Sequence, residues 1–162
     1  MISKLPYSDK NYLEVRSLAE QAYGGYKDLK CPAINATVKF TAEGLNHIVY
    51  KKGRERDKKD QFMRLKVIDI ARLVIKTTTT IQEKDEKIQQ FRVKMKKKYT
   101  NVGKSVNFWG FIAIMENKKI RVVVRKVGAG AHHFWSVAPN WTTTKNGDLK
   151  FMDYASKDLE ED

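Results

Sequence analysis

The stretch that most constrains the fold runs from residue 106 to 141, VNFWGFIAIMENKKIRVVVRKVGAGAHHFWSVAPNW. It reads as three consecutive strands joined by two turn signals, an antiparallel meander. Residues 106–115 are apolar on both alternating faces, with Val106, Phe108, Ile112 and Ile114 on one and Trp109, Phe111 and Met115 on the other. That pattern suits a strand covered on both sides. The polar run at 116–119 is a hairpin-length break. Residues 120–127 then alternate, Ile120, Val122 and Val124 opposite Arg121, Val123 and Arg125. Gly128 to Ala131 allow a tight connection. Residues 132–137 form the third strand, and Pro139, which has no N–H to give to a ladder, is expected to end it.

Upstream, helices dominate. Residues 9–23 carry Tyr12, Val15, Leu18, Ala19 and Ala22 at helical spacing before Gly24-Gly25. Residues 27–32 read as a connector and 34–41 as a short alternating strand. Thr41 is placed to cap a helix over 42–52, with Glu43 in its first turn. His47 and Lys51 lie one turn apart on that helix, and Arg54 joins them if it runs past Gly53. Residues 60–75 give the strongest helical pattern, with Arg64 and Arg72 on one face. Residues 82–98 fit an exposed helix, a long strand or a mobile insertion. The expectation is an α+β fold, N-terminal helices packed on one face of an antiparallel sheet, the opposite face left for a ligand. Three regions follow: a helical extension over 1–33, the α+β domain over 34–141, and an acidic tail over 142–162.

The chain has 162 residues and a net charge of +13. Such an excess favours a polyanion as partner, nucleic acid above all. Cys31 is the single cysteine, which excludes an internal disulfide and a thiolate metal cluster and fits a reducing cytoplasm. Neither a secretory leader nor an apolar run near the ~20 residues of a spanning helix is visible, so no membrane association is expected.

Common catalytic motifs are absent: no HExxH, CxxC, EF-hand loop, P-loop or GxSxG. Adjacent His132 and His133 point to opposite faces of a strand, which suits no zinc site. No metal or cofactor is expected. Metal-free RNA cleavage needs less: a base for the ribose 2′-OH, an acid for the leaving 5′-oxygen, and cations around the phosphorane. The candidates are His47 on a helix, Arg121 and Arg125 on the central strand, and His132 with Ser136 on the last. Each has an ordinary structural explanation, a solvated arginine or a satisfied histidine. With Trp135 and Val137 on the core side, His132 and Ser136 face outward. Exchanging Phe134 for Trp135 in that core brings His133 out instead. Lys51, Arg54, Arg64, Arg121 and the run Lys94, Lys96, Lys97, Lys98 are candidate RNA-phosphate contacts.

The strand-helix unit VKFTAEGLNHIVYK, the second helix with Arg64, and the meander closing on HFWSVAP resemble the barnase–EndoU–colicin–RelE superfamily, in its phage-associated branch of small nucleases and toxins. The likeness covers about residues 34 to 141, and the segment 82–98 departs from its shorter pattern. It implies a metal-independent endoribonuclease, with His47 as the helix histidine, Arg125 as a basic strand position and Ser136 as the hydroxyl of the final strand. A toxin of this kind also implies an antitoxin or inhibitor protein as partner. Two other readings stay open: a non-catalytic module binding nucleic acid or protein, and a DNA-directed nuclease.

Overall fold

The computed structural model describes residues 4–115, 118–140, 142–143, 149–150 and 159–160. The order is α1 (Asp9–Gly24), β1 (Leu29–Cys31), a 3₁₀ turn at Pro32–Ile34, β2 (Ala36–Lys39), α2 (Ala42–Val49), β3 (Tyr50–Lys51), β4 (Arg54–Glu55), α3 (Lys58–Leu65), α4 (Ile68–Thr77), β5 (Glu83–Met95), β6 (Lys98–Met115), β7 (Lys118–Val127) and β8 (His132–Asn140). The fold is α+β. One six-stranded sheet runs β1-β2-β8-β7-β6-β5.

The meander forms as its alternation predicts, β6, β7 and β8 pairing antiparallel in sequence. The sheet as a whole is mixed, because β2 joins β8 in parallel at Val38↔His132 and Lys39↔His133. Residues 27–32 are more than a connector, since β1 within them pairs antiparallel with β2. Pro139 does not end β8, which continues to Asn140. Beyond His133 no strand pairs with the other side of β8 among the described residues, so a missing N–H is tolerated there. Of the expected turn at 116–119, Lys118 and Lys119 already belong to β7, while residues 116–117, like Trp141 and most of the acidic tail, lie outside the described residues.

One sheet face carries Phe111, Val122, Val124, Phe134 and Val137 into the main core. Tyr12, Val15, Ala19 and Tyr23 of α1 join the same core. Ser8 starts α1 by accepting the Asn11 N–H at 3.0 Å.

The long helix expected over 60–75 is two helices, broken at Lys66-Val67, where Val67 has φ −112 and ψ 10. Phe62, Leu65, Val67 and Ile68 are all buried. A straight helix at 3.6 residues per turn cannot turn all four to one side; the break does. It also separates Arg64 from Arg72, which lies over the Tyr26 ring.

Residues 82–98 resolve into the long-strand alternative. β5 and β6 pair without interruption from Glu83↔Gly110 to Met95↔Lys98. Since β7 meets β6 only from Val106 onward, the outer half of this hairpin extends beyond the sheet as a two-stranded arm.

Candidate functional site

The helix α2 lies against β8 where β2 has ended. Gly44 makes this approach possible: a Cβ there would sit 2.4 Å from the Phe134 carbonyl oxygen. α2 ends at Val49, short of the expected span. Lys52 (φ 49) and Gly53 (φ 74) then turn the chain back through a β3–β4 hairpin. Lys51 and Arg54 therefore pair across that hairpin instead of continuing the helix.

Glu43 and His47, four apart on α2, reach the sheet face away from the main core. There a cleft of about 650 Å³ is lined by residues that include Glu43, His47, Lys51, Arg125, Trp135 and Glu160. The His47 ring stacks on Trp135 with centroids 4.1 Å apart and planes at 23°. Arg125 is buried, its guanidinium 4.2 Å above the Trp135 ring. Arg125 Nη1 is 3.6 Å from Glu43 Oε2, and Nη2 donates to Gln89 Oε1 at 3.4 Å. His133 Nε2 is 3.8 Å from the same Glu43 oxygen. Among the described residues, Arg125 Nε and His133 Nε2 are two of six buried side-chain atoms with no hydrogen-bond partner, the others being on Thr41, Arg72, Glu83 and Arg121. Buried polar groups are rarely left so, and of the two residues only Arg125 lines the cleft, which makes its Nε the candidate for a ligand there.

A second layer fixes His47. Arg56 Nε donates to the His47 carbonyl at 3.0 Å, and its Nη2 lies 3.3 Å from His47 Nε2. A guanidinium can only donate, so Nε2 accepts and the ring proton sits on Nδ1. Asp60 takes Arg56 Nη1 at 3.4 Å and Arg64 Nε at 2.8 Å. Arg64 Nη1 reaches Ser136 Oγ and the Val137 carbonyl, both at 3.1 Å.

Burial, then the cations Arg56, Arg64, Arg125 and Lys51, push the His47 pKa down to about 3. The ring is neutral at physiological pH and suits hydrogen-bond donation through Nδ1 better than proton exchange. His133 is also held below its ordinary value by burial, with Arg125 adding to this and the Ala131 backbone and Glu43 opposing it. Burial and Lys126 lower His132 as well.

The expected residues therefore separate. His47, Arg125 and Lys51 meet at the cleft, and His133 joins through Glu43. His132 and Ser136 do not face outward together. His132 turns to the helix side, its ring 5.1 Å from Trp109, and Ser136 is wholly buried beneath Arg64. The cause is an irregularity opposite Val123/Val124: Phe134 pairs with Val124 but Ser136 pairs with Val123, leaving Trp135 as an extra residue. This bulge puts Phe134 and Val137 in the core and Trp135 at the cleft. Arg121 is not a solvated outward arginine either; it is 1% exposed, with Nε 3.4 Å from Glu83 Oε2. Arg64 is likewise buried. Lys94, Lys96, Lys97 and Lys98 are exposed at the tip of the β5–β6 arm. At ~3.3 Å per residue, the tip lies about 20 Å along β5 from Gln89.

In the sequence Glu43 reads only as a first-turn acid and Trp135 as a core residue. The Glu43–His47 spacing of four was the available signal for a shared face. Nothing local marked Arg56, Gln89 or Glu160. Glu160 arrives from the C-terminus, its backbone oxygen accepting from Trp135 Nε1 at 3.2 Å and its carboxylate from Gln89 Nε2 at 2.6 Å. Leu159 beside it is buried against Val106, Phe108 and Val123.

Among the described residues, no helix is long and apolar enough to cross a membrane, and no three His, Cys, Asp or Glu side chains group as metal ligands. Comparison of the chain with protein-family models, curated proteins and solved structures returns no match.

Proposed function

We propose that the protein is a metal-independent endoribonuclease that cuts RNA by attack of a ribose 2′-OH on the adjacent phosphate, the activity its superfamily resemblance implies. The observation that carries this reading is the convergence of Glu43, Arg125 and His133, with one nitrogen of each of the last two lacking a partner. A phosphate oxygen in the cleft supplies the acceptor that Arg125 Nε lacks. Glu43 takes the 2′-OH proton as the 2′-oxygen attacks phosphorus. The bond to the 5′-oxygen breaks, and protonated His133 supplies that oxygen's proton. The products are a 2′,3′-cyclic phosphate and a 5′-hydroxyl. Burial keeps His133 neutral at rest, and the arriving anion favours its protonated form. His47 Nδ1–H is placed as a neutral donor, and Trp135 holds Arg125 from below.

A toxin or phage-associated role, an antitoxin or inhibitor as second partner, and a cytoplasmic location belong to the same proposal. Incubating the purified chain with total RNA and EDTA tests it. Discrete fragments ending in cyclic phosphate support it; intact RNA defeats it.

One observation favours a second reading, a non-catalytic nucleic-acid-binding module. All three histidines are held below their ordinary pKa, which disfavours an imidazolium at the resting site. A single 2′-deoxy substitution separates the readings. It stops the ribonuclease without weakening its binding, is invisible to a pure binder, and leaves a DNA-directed nuclease active.

A further inference from the structure

The outer part of the β5–β6 hairpin has no role in the cleft chemistry, and its composition is one-sided. From Ile88 to Ser105 it carries Arg92, Lys94, Lys96, Lys97, Lys98 and Lys104 and no Asp or Glu. Eight residue pairs, Ile88↔Ser105 to Met95↔Lys98, make a ribbon about 25 Å long. No third strand pairs with it among the described residues. Ile88, Met95 and Tyr99 are exposed on it, at 69%, 58% and 60%. An isolated two-stranded ribbon is marginal in water, so an arm this long gains most when something lies against it.

The placement of the cations indicates what that partner is. Register puts Lys98 and Lys104 on one face of the ribbon and Arg92 and Lys94 on the other. Single-strand binding relies on open aromatic faces for base stacking. Here one face of each ring already carries a cation: Lys104 Nζ lies 5.7 Å above the Phe91 ring, and the Arg92 guanidinium 4.5 Å above Tyr99. Beside the exposed Ile88, Met95 and Tyr99, charge lies on both faces and at the tip. A single strand offers one row of phosphates, whereas a double helix offers two, one on each side of a groove.

We propose that the β5–β6 arm binds double-helical RNA through its phosphates and presents an adjoining unpaired segment to the cleft. This rests on the RNA reading and names its substrate class as a stem flanked by a single strand. Gln89 links the two regions, accepting from Arg125 at the base of the arm.

The test uses the full chain and two RNAs, a hairpin with a single-stranded flank and that flank alone. The variant is Lys94→Gln/Lys97→Gln/Lys98→Gln; Lys96, which holds the left-handed turn position at φ 56, is kept. These side chains are exposed, and an unchanged melting temperature verifies the fold. Wild type is expected to bind the hairpin RNA more tightly than the flank. The variant is expected to lose about tenfold or more on the hairpin RNA, with a salt slope shallower by about 0.9 for each phosphate contact removed. Binding of the flank and the cleavage rate at saturation should not change. Equal loss on both RNAs, or none on either, overturns the arm proposal while leaving the ribonuclease reading standing. Equally tight binding of a DNA duplex of the same sequence overturns RNA as the class. If wild type binds neither RNA, the RNA reading itself fails and the arm proposal with it.

Discussion

His47 lies flat on Trp135, centroids 4.1 Å apart, so a helix residue and a bulged strand residue together form one wall of the cleft. Trp135 also supports Arg125 from below and donates to the Glu160 carbonyl. Replacing Trp135 with Ala removes all three contacts. The expected cost is about 2–3 kcal/mol, below the 3–5 typical of a fully buried ring, measured by urea unfolding. Binding of RNA should weaken with it, because Arg125 loses its support.

The environment of His47 gives a pH prediction. Its folded pKa of about 3 lies below the ordinary 6.5, so between these values the unfolded chain binds a proton that the folded chain does not. Stability should therefore rise with pH through this window and be lost as pH falls from 6.5 towards 3, by at most about 1.4 kcal/mol per unit for this one group. His132 and His133, also lowered, act in the same direction. An NMR titration of the His47 ring checks the cause directly: no midpoint should appear above pH 4.

Gly44 is the point where α2 meets β8. Gly44→Ala puts a methyl group 2.4 Å from the Phe134 oxygen and 2.8 Å from Tyr23 Oη. Both neighbours belong to the packed core, so α2 must move away, at an expected cost of about 1–3 kcal/mol. Because Glu43 and His47 move with it, cleavage should fall further than the stability loss alone explains. Thermal unfolding and activity assays on one preparation separate the two effects.

The meander was legible in the sequence because alternation and turn residues are local signals. The long β5–β6 hairpin was less so, since a charged two-stranded arm lacks the apolar face that marks a strand. The α3–α4 break has no local signal because it is set by burial of Val67 and Ile68, not by a Gly or Pro. At the site, His47 and Arg125 were readable as residue types in promising places. The choice between His132 and His133 was not, since the bulge at Trp135 decides which shares a sheet face with Arg125, and a strict period of two cannot register an extra residue. Arg121 and Arg64 carry the same charge as Arg125 in the sequence; only the fold distinguishes arginines held inside, Arg121 beside Glu83 and Arg64 over Ser136, from the one that lines the cleft.

Arg125→Lys probes that distinction. Lysine keeps the charge but loses the planar stack on Trp135 and the forked contacts to Glu43 and Gln89. RNA binding and cleavage should both drop, whereas Lys126→Arg on the helix-facing side of the same strand should change neither.

The central claim is that Glu43 and His133 handle the protons of 2′-OH attack. Single-turnover cleavage of one defined RNA in EDTA, by wild type, Glu43→Gln and His133→Ala, tests it most directly when the dissociation constant of each is measured alongside. The expected result is a rate loss of about 10²–10⁴ in each variant with RNA affinity held or, for Glu43→Gln, increased by removal of a negative charge. Undiminished cleavage by both variants contradicts the claim.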